Sequence, residues 1–373
     1  MTPWPIIIVA ATLFVAYANG ANDNFKGVAT LFGSGRTDYR KALGWATITT
    51  LAGSVAAFFL ATELISLFQG EGLVPAELSE SAPFVAAVVL GAALTVMLAT
   101  KIGMPISTTH SLTGALFGSA LVAVGFDVGL QALAVNFLMP LLISPLCAVA
   151  IASLGLPLLS RVLQRAGLNQ ENCLCVEAGA QSMVTPQGVV FMETTPGLRV
   201  IVDREVVCAQ PQARRILGIN GQELLDAGHF LSAGAVGFAR GLNDTPKIVA
   251  LGLVAGTLDF RFSIILVAAT MALGGLLNAG AVAQTVSKKI TGMEPDHGLW
   301  ANLVTSLLVI FASKWGMPVS TTHVSCGALF GIGIANGRAQ WSMIRTILLA
   351  WGLTLPTAAL LSAASFILLR GFA

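Results

Sequence analysis

Apolar runs of about twenty residues, the length a helix needs to cross a bilayer, constrain this chain more than any other feature. The clearest run from Ala42 to Phe68, Ala82 to Ala99, Ile264 to Ala283 and Ile344 to Leu369, and another begins at Pro5. Charged residues make up 10% of the sequence and hydrophobic ones 55%, against about 25% charged in an ordinary soluble domain. Such a chain belongs in a lipid bilayer. The run from Pro5 lacks the basic leader and small-residue cleavage site of a secretory signal, so it reads as retained membrane structure in a mature chain that starts near Met1. The formal net charge of +2 is too small to argue for nucleic acid. No paired acid and base with a nucleophile, and no metal cluster, argues for an enzyme.

The basic residues sit in short loops, where they report topology. Arg36, Arg40 and Lys41 form one cluster, Arg161 and Arg165 a second, Lys288 and Lys289 a third. All three are expected on the cytoplasmic side of a multi-pass plasma (inner) membrane protein. The loop carrying Glu71, Glu77 and Glu80 is expected outside, as is the N-terminus. Five scattered cysteines suggest no disulfide framework. Cys173, Cys175 and Cys208 lack the fourth ligand of a tetrahedral metal site and read as small residues on strands.

Two segments recur almost letter for letter. Ala99 to Leu121 reads ATKIGMPISTTHSLTGALFGSAL, and Ala312 to Ile334 reads ASKWGMPVSTTHVSCGALFGIGI. A second pair, AYANGANDNFKGVATL from Ala16 and GFARGLNDTPKIVALG from Gly237, shares Asn-Asp followed by Lys three positions later. Each half thus carries the same motifs in the same order. In the first half a basic loop follows the Asn-Asp segment at once, whereas in the second the basic cluster comes one helix later. Equivalent loops then face opposite sides, as an inverted-topology repeat requires. The expected organisation is an all-α polytopic membrane fold. It has a first repeat over residues 1–162, a polar, β-rich cytoplasmic insert over 163–227, and a second repeat over 228–373. Alternation in Gly188 to Glu193 and Leu198 to Val207 predicts the insert's strands.

In G-M-P-[IV]-S-T-T-H, Gly103 with Pro105, and Gly316 with Pro318, interrupt runs that would otherwise continue as helix. A re-entrant half-helix should restart immediately after, because Pro and then Ser, Thr, Thr suit a first turn. That turn offers free N–H groups and the positive end of the helix dipole, the ingredients of an oxyanion site. Ser107, Thr108 and Thr109 in one half and Ser320, Thr321 and Thr322 in the other can face one tetrahedral anion, phosphate or sulfate. His110 and His323 are either proton-coupling groups or structural donors.

Asn22 and Asp23, and again Asn243 and Asp244, lie in apolar segments where ionisable groups are costly and usually functional. Gly20, Gly27, Gly241 and Pro246 predict unwinding there. Unwound carbonyls with the four Asn and Asp side chains would form sodium sites. A carboxylate can also accept a proton from protonated phosphate, which sulfate cannot offer. Lys26 and Lys247 follow each aspartate by three residues. They either neutralise it, attract the anion, or stand as a fixed positive charge where a sodium could otherwise sit.

Gly20-Ala21-Asn22-Asp23, Leu242-Asn243-Asp244 and the paired P-x-S-T-T-H segments resemble the inorganic phosphate transporter family, across both membrane halves. The resemblance implies secondary phosphate transport driven by a sodium or proton gradient, an inverted-repeat helical fold and often a homodimer. It further implies Asn-Asp pairs on cation and anion, with Ser and Thr hydroxyls on the anion. The family's first motif commonly continues Val-Ala-Asn or Thr-Ala-Asn; here it continues Asn24-Phe25-Lys26. Some relatives resemble sulfate permeases, which makes sulfate the alternative substrate.

Overall fold

The protein's structure, a computed structural model, describes residues 3–60, 63–165, 172–184, 190–204, 219–256, 259–292 and 294–372. It divides into two units, residues 1–156 with 231–373 and residues 157–230.

The first unit is helical. Helix α1 (Trp4–Asp23) tightens into a 3-10 segment at Asn24–Val28 and continues as α2 (Ala29–Gly33). Helix α3 (Tyr39–Leu60) follows, and Asp38 opens it by accepting the Lys41 N–H at 2.9 Å. That bond holds the Asp38 carboxyl below the usual carboxylate range. The short α4 (Glu63–Phe68) and α5 (Ala76–Ser79) lead into α6 (Ala82–Lys101) and α7 (Thr108–Val124). A turn of helix α8 (Leu130–Ala132) then passes through a wide π segment, Leu133–Leu138, into α9 (Met139–Arg165). Later in the chain come α10 (Gly221–Gly252), whose first residues belong to the second unit, α11 (Phe260–Asn278), α12 (Gly280–Lys288), α13 (Pro295–Lys314), α14 (Thr321–Ala335) and α15 (Trp341–Leu369). The apolar run from Ile264 to Ala283 is therefore two helices rather than one.

Among the described residues, seven helical stretches are long and apolar enough to cross a membrane. Helix α10 is not one of them. Its 32 residues are ample in length, but Arg240, Asp244 and Lys247 within it lower its hydropathy. Helix α1 packs between α6 and α11, while α7 packs against α6 and α15.

Both G-M-P segments break the helix by the same hydrogen bonds. After α6, the Gly103 N–H bonds the Thr100 carbonyl at 3.0 Å and the Met104 N–H bonds the Ala99 carbonyl at 2.9 Å. After α13, Gly316 bonds Ser313 at 3.2 Å and Met317 bonds Ala312 at 2.9 Å. This is a Schellman stop, whose left-handed residue is best served by glycine, and Gly103 and Gly316 have φ of 71° and 65°. The chain runs extended through the proline and restarts as helix at Thr108 and Thr321. The restarted helices contain the second half of the repeated string, GALFG. The glycines of the first copy, Gly114 and Gly118, lie against the α15 backbone at Leu355 and Ala359. Those of the second, Gly327 and Gly331, lie against the α9 backbone at Pro145 and Val149. Small residues four apart let helix backbones meet this closely in a membrane.

The Asn-Asp segments depart from expectation. Helix α10 is continuous through Pro246, so no unwinding occurs in the second copy. Gly241 instead allows α10 to lie against the Thr50 carbonyl of α3, where a Cβ would not fit. In the first copy the helix tightens rather than opens. The carbonyls freed for polar work come from the G-M-P segments.

In the second unit, β1 (Asn172–Val184) pairs antiparallel with β2 (Val190–Arg204), with a register shift between Ala178 and Ala180. A two-residue β3 (Ile219–Asn220) pairs with the other edge of β1, giving the order β2-β1-β3. One long β2 replaces the two strands anticipated between 188 and 207. The side chains of Cys173 and Cys175, and all of Cys208, lie outside the described residues.

Candidate functional site

The two restarted helices meet at their first turns. Thr109 Oγ1 donates to the Val319 carbonyl at 3.2 Å, and Thr322 Oγ1 donates to the Ile106 carbonyl at 2.9 Å, the same bond with the halves exchanged. His110 Nδ1 and His323 Nε2 are 3.2 Å apart, and the His323 ring stacks on Trp351 at a centroid distance of 3.9 Å. Trp351 is itself fixed by an Nε1 bond to the Pro105 carbonyl. Ser107 and Ser320 are N-caps: their hydroxyl oxygens accept the His110 and His323 N–H groups at 3.0 and 3.1 Å. The sequence assigned these hydroxyls to an anion, and their oxygen lone pairs already serve the helix. Each hydroxyl proton remains available for donation. The N–H groups of Thr108, Thr109, Thr321 and Thr322 have no intrahelical acceptor, as at any helix start.

Around these turns gathers all the deeply buried charge of the described chain. Asp23, Lys26, Arg240, Asp244 and Lys247 are each at most 3% exposed, and no other described Asp, Glu, Lys or Arg is buried. Lys26 Nζ forms an ion pair with Asp23 Oδ1 and also donates to Asn22 Oδ1 at 2.8 Å, the Ile106 carbonyl at 2.9 Å and Thr322 Oγ1 at 2.7 Å. Lys247 Nζ occupies the matching place, donating to the Val319 carbonyl and Thr109 Oγ1, both at 2.8 Å, with Asp244 Oδ1 at 3.8 Å. The asparagines tie each Asn-Asp helix to a G-M-P segment. Asn22 donates to Thr100 Oγ1 and the Met104 carbonyl, and Asn243 donates to the Val319 carbonyl and Thr321 Oγ1. Thr108 Oγ1 donates to Asp23 Oδ2 at 3.1 Å.

Fourteen residues named from sequence thus fall into one cluster: Asn22, Asp23, Lys26, Ser107, Thr108, Thr109, His110, Asn243, Asp244, Lys247, Ser320, Thr321, Thr322 and His323. Two members were missed. Asn19 Nδ2 bridges the halves, within 3.0 Å of Asp23 Oδ2 and 3.1 Å of Asp244 Oδ2. Arg240 donates to Asn19 Oδ1 at 2.5 Å and Asn24 Oδ1 at 3.1 Å, and its Nε lies 3.8 Å from Asp244 Oδ2. The signal for Arg240 was present in the sequence, as a lone guanidinium inside GFARGLND. Asn19 holds the equivalent position in ANGAND and shows only when the two strings are aligned. With Arg240 included, three cationic side chains face two carboxylates, which leaves one positive charge in excess.

Comparison with known proteins gives the family and the fold. A family model described as the phosphate transporter family matches residues 19–362. The chain belongs to that family. Its relatives include a Pyrococcus abyssi protein bearing the name phosphate permease, 26% identical over 98% of both chains. A Mycobacterium tuberculosis protein bearing the name low-affinity inorganic phosphate transporter is 24% identical over 97% of this chain and 76% of its own length. Among solved structures, one titled the sodium-dependent phosphate transporter superposes with a TM-score of 0.78 at 20% identity, covering 100% of both chains. At that identity the likeness is one of fold, a polytopic helical membrane transporter. Members of this family are transporters rather than enzymes.

Proposed function

We propose that the chain is a secondary active transporter that imports inorganic phosphate on a sodium or proton gradient, holding the anion between the N-termini of α7 and α14. The observation that carries this reading is the direct contact of those two helix starts, Thr109 to Val319 and Thr322 to Ile106, beside one uncompensated buried positive charge. Two first turns add their amides and dipole ends to that charge. In this reading Ser107, Ser320 and Thr321 donate their free hydroxyl protons to the anion, and Lys247 supplies an ammonium. Thr108, Thr109 and Thr322, whose protons go to Asp23, Val319 and Ile106 in this structure, line the site and turn theirs to the anion when it binds. Asn22, Asp23, Asn243 and Asp244 order the donors and face the coupling cation. His110 and His323, bonded to one another, hold the two helix starts together. The two halves are inverted repeats that exchange access to this point, and residues 163–227 stand on the cytoplasmic side.

The charge balance favours phosphate over sulfate. A singly charged guest neutralises the excess, and phosphate at neutral pH exists partly as the monoanion. Sulfate, fixed at two negative charges, would leave one unpaired in a low-dielectric site, which is costly. The deciding experiment is accumulation of labelled phosphate in proteoliposomes with excess sulfate outside. Uptake against the phosphate gradient should persist, whereas strong inhibition by sulfate would transfer the assignment to sulfate.

A further inference from the structure

The oxygen shell around Lys26 is unlike that of an ordinary buried lysine. Four oxygens of four kinds surround Nζ: the carboxylate of Asp23, the amide of Asn22 at 2.8 Å, the backbone carbonyl of Ile106 at 2.9 Å and the hydroxyl of Thr322 at 2.7 Å. An ammonium has three protons to give, so the shell holds more acceptors than the lysine has donors. Mixed carboxylate, carbonyl and hydroxyl oxygens around one point are what a hard cation takes. Carbonyls of a broken helix at a membrane site serve free coupling ions in the same manner. The shell is also drawn from three separate parts of the chain, the Asn-Asp segment, the first G-M-P segment and the start of α14. Whatever cation sits there therefore binds the two halves together.

The matching position in the other half is also filled by a lysine, with a thinner shell. Lys247 meets Thr109 Oγ1 and the Val319 carbonyl at 2.8 Å, but Asp244 stands off at 3.8 Å. The Asn243 amide oxygen is turned away to accept from Ser313 at 3.1 Å. Only the Lys26 shell has the full set.

We propose that the Lys26 ammonium is a tethered cation occupying the place of a free sodium ion, so that this chain moves its anion without binding sodium between Asn22, Asp23, Ile106 and Thr322. The proposal rests on the transport reading above and chooses between its two gradients: the covalently held charge does structurally what a bound sodium would do, leaving the proton gradient to drive uptake. Shortening Lys26 should reopen the shell. Asp23 and three neutral oxygens would then face a gap that a small monovalent cation fills.

The experiment measures radioactive sodium binding to purified full-length protein, alongside labelled phosphate uptake in proteoliposomes with sodium or choline as the bulk cation. The wild type is expected to bind no saturable sodium and to transport equally in both salts. Lys26→Ala is expected to bind sodium saturably and to show a half-saturation for phosphate uptake lower in sodium than in choline by roughly 5- to 150-fold, the usual range for coupled sites. Saturable sodium binding by the wild type would overturn the proposal. So would a folded Lys26→Ala protein that binds none. If Lys26→Ala does not fold, the wild-type measurement still decides. Absence of phosphate uptake in any salt would remove the transport reading instead, because the sodium-binding arm does not depend on it.

Discussion

At the residue scale, the two aspartates occupy corresponding places with different partners, and their neutralisation should differ accordingly. Asp23 is in direct contact with Lys26, while Asp244 lies 3.8 Å from both Lys247 and Arg240. Removing one partner of a buried pair costs about 3–5 kcal/mol because the other charge is stranded. Asp23→Asn should therefore lower thermal stability more than Asp244→Asn, and both should abolish coupled uptake. Equal melting temperatures, or full uptake by both variants, would contradict the assignment. Arg240 supplies the excess positive charge, so Arg240→Gln should raise the half-saturation for phosphate by about tenfold or more, some 1.4 kcal/mol of binding. An unchanged half-saturation would remove the charge argument. Ser107 and Ser320 act first as caps, and each Ser→Ala change should cost about 1 kcal/mol of stability. Asn at either position keeps a capping acceptor and should restore the melting temperature; a melt that Asn fails to restore would show that the cap is not what the serine supplies. Arg240 could have been found from the rule that intramembrane charge is functional. The capping role of the serines could not, since Ser-Thr-Thr at a helix start suits both capping and ligand donation.

At the element scale, the duplicated string carried two messages, and only one was legible. Its G-M-P half announced a helix break, because a left-handed glycine followed by proline leaves few alternatives, and both breaks form with the same bonds. Its GALFG half is a packing surface whose partners, α15 for one copy and α9 for the other, are set by tertiary contact that no local pattern records. The misreading of α10 has the same origin. Gly241 and Pro246 weaken a helix in isolation, yet α10 runs straight through, held against α3 at a glycine where the backbones touch. This assigns a testable cost to the glycines. A methyl at Gly118 would overlap the Ala359 carbonyl, and one at Gly331 the Val149 carbonyl. Gly118→Ala and Gly331→Ala should each destabilise the protein by about 1–3 kcal/mol, as overpacking does. Gly35, where a Cβ would meet nothing within 4 Å, has a φ of 72° and serves as a different kind of control. There Ala should cost only backbone strain and leave helix packing intact. Melting temperatures of the three variants separate the cases.

At the scale of the whole molecule, orientation in the membrane follows from where the basic clusters fall. Arg36 lies in the loop after α2 with Arg40 and Lys41 in the first turn of α3, and Lys288 ends α12 with Lys289 just past it. The structure brings these two sequence-distant clusters to the same end of the helical unit: Lys288 Nζ lies 4.7 Å from the centroid of the Phe32 ring, and the backbone at Gly33 lies against Ser287. Two basic clusters on one end, with Glu71, Glu77 and Glu80 together in the segment between α4 and α6, give the positive-inside rule a single consistent answer. Hydropathy alone could not have counted the crossings, because α10, which carries Arg240, Asn243, Asp244 and Lys247 of the cluster, is too charged to register as a span. The buried charges of α10 are thus what hide the helix from a hydropathy scan. Orientation is measurable with single cysteines introduced into a background with the native ones replaced. Arg36→Cys and Lys289→Cys should react with a membrane-impermeant maleimide only after the cytoplasmic face is opened, whereas Glu77→Cys should react in intact cells. Labelling of Arg36→Cys and Lys289→Cys from opposite sides would break the shared end. Labelling of both from outside would keep the fold and reverse its direction in the membrane, and with it the direction in which the anion is drawn.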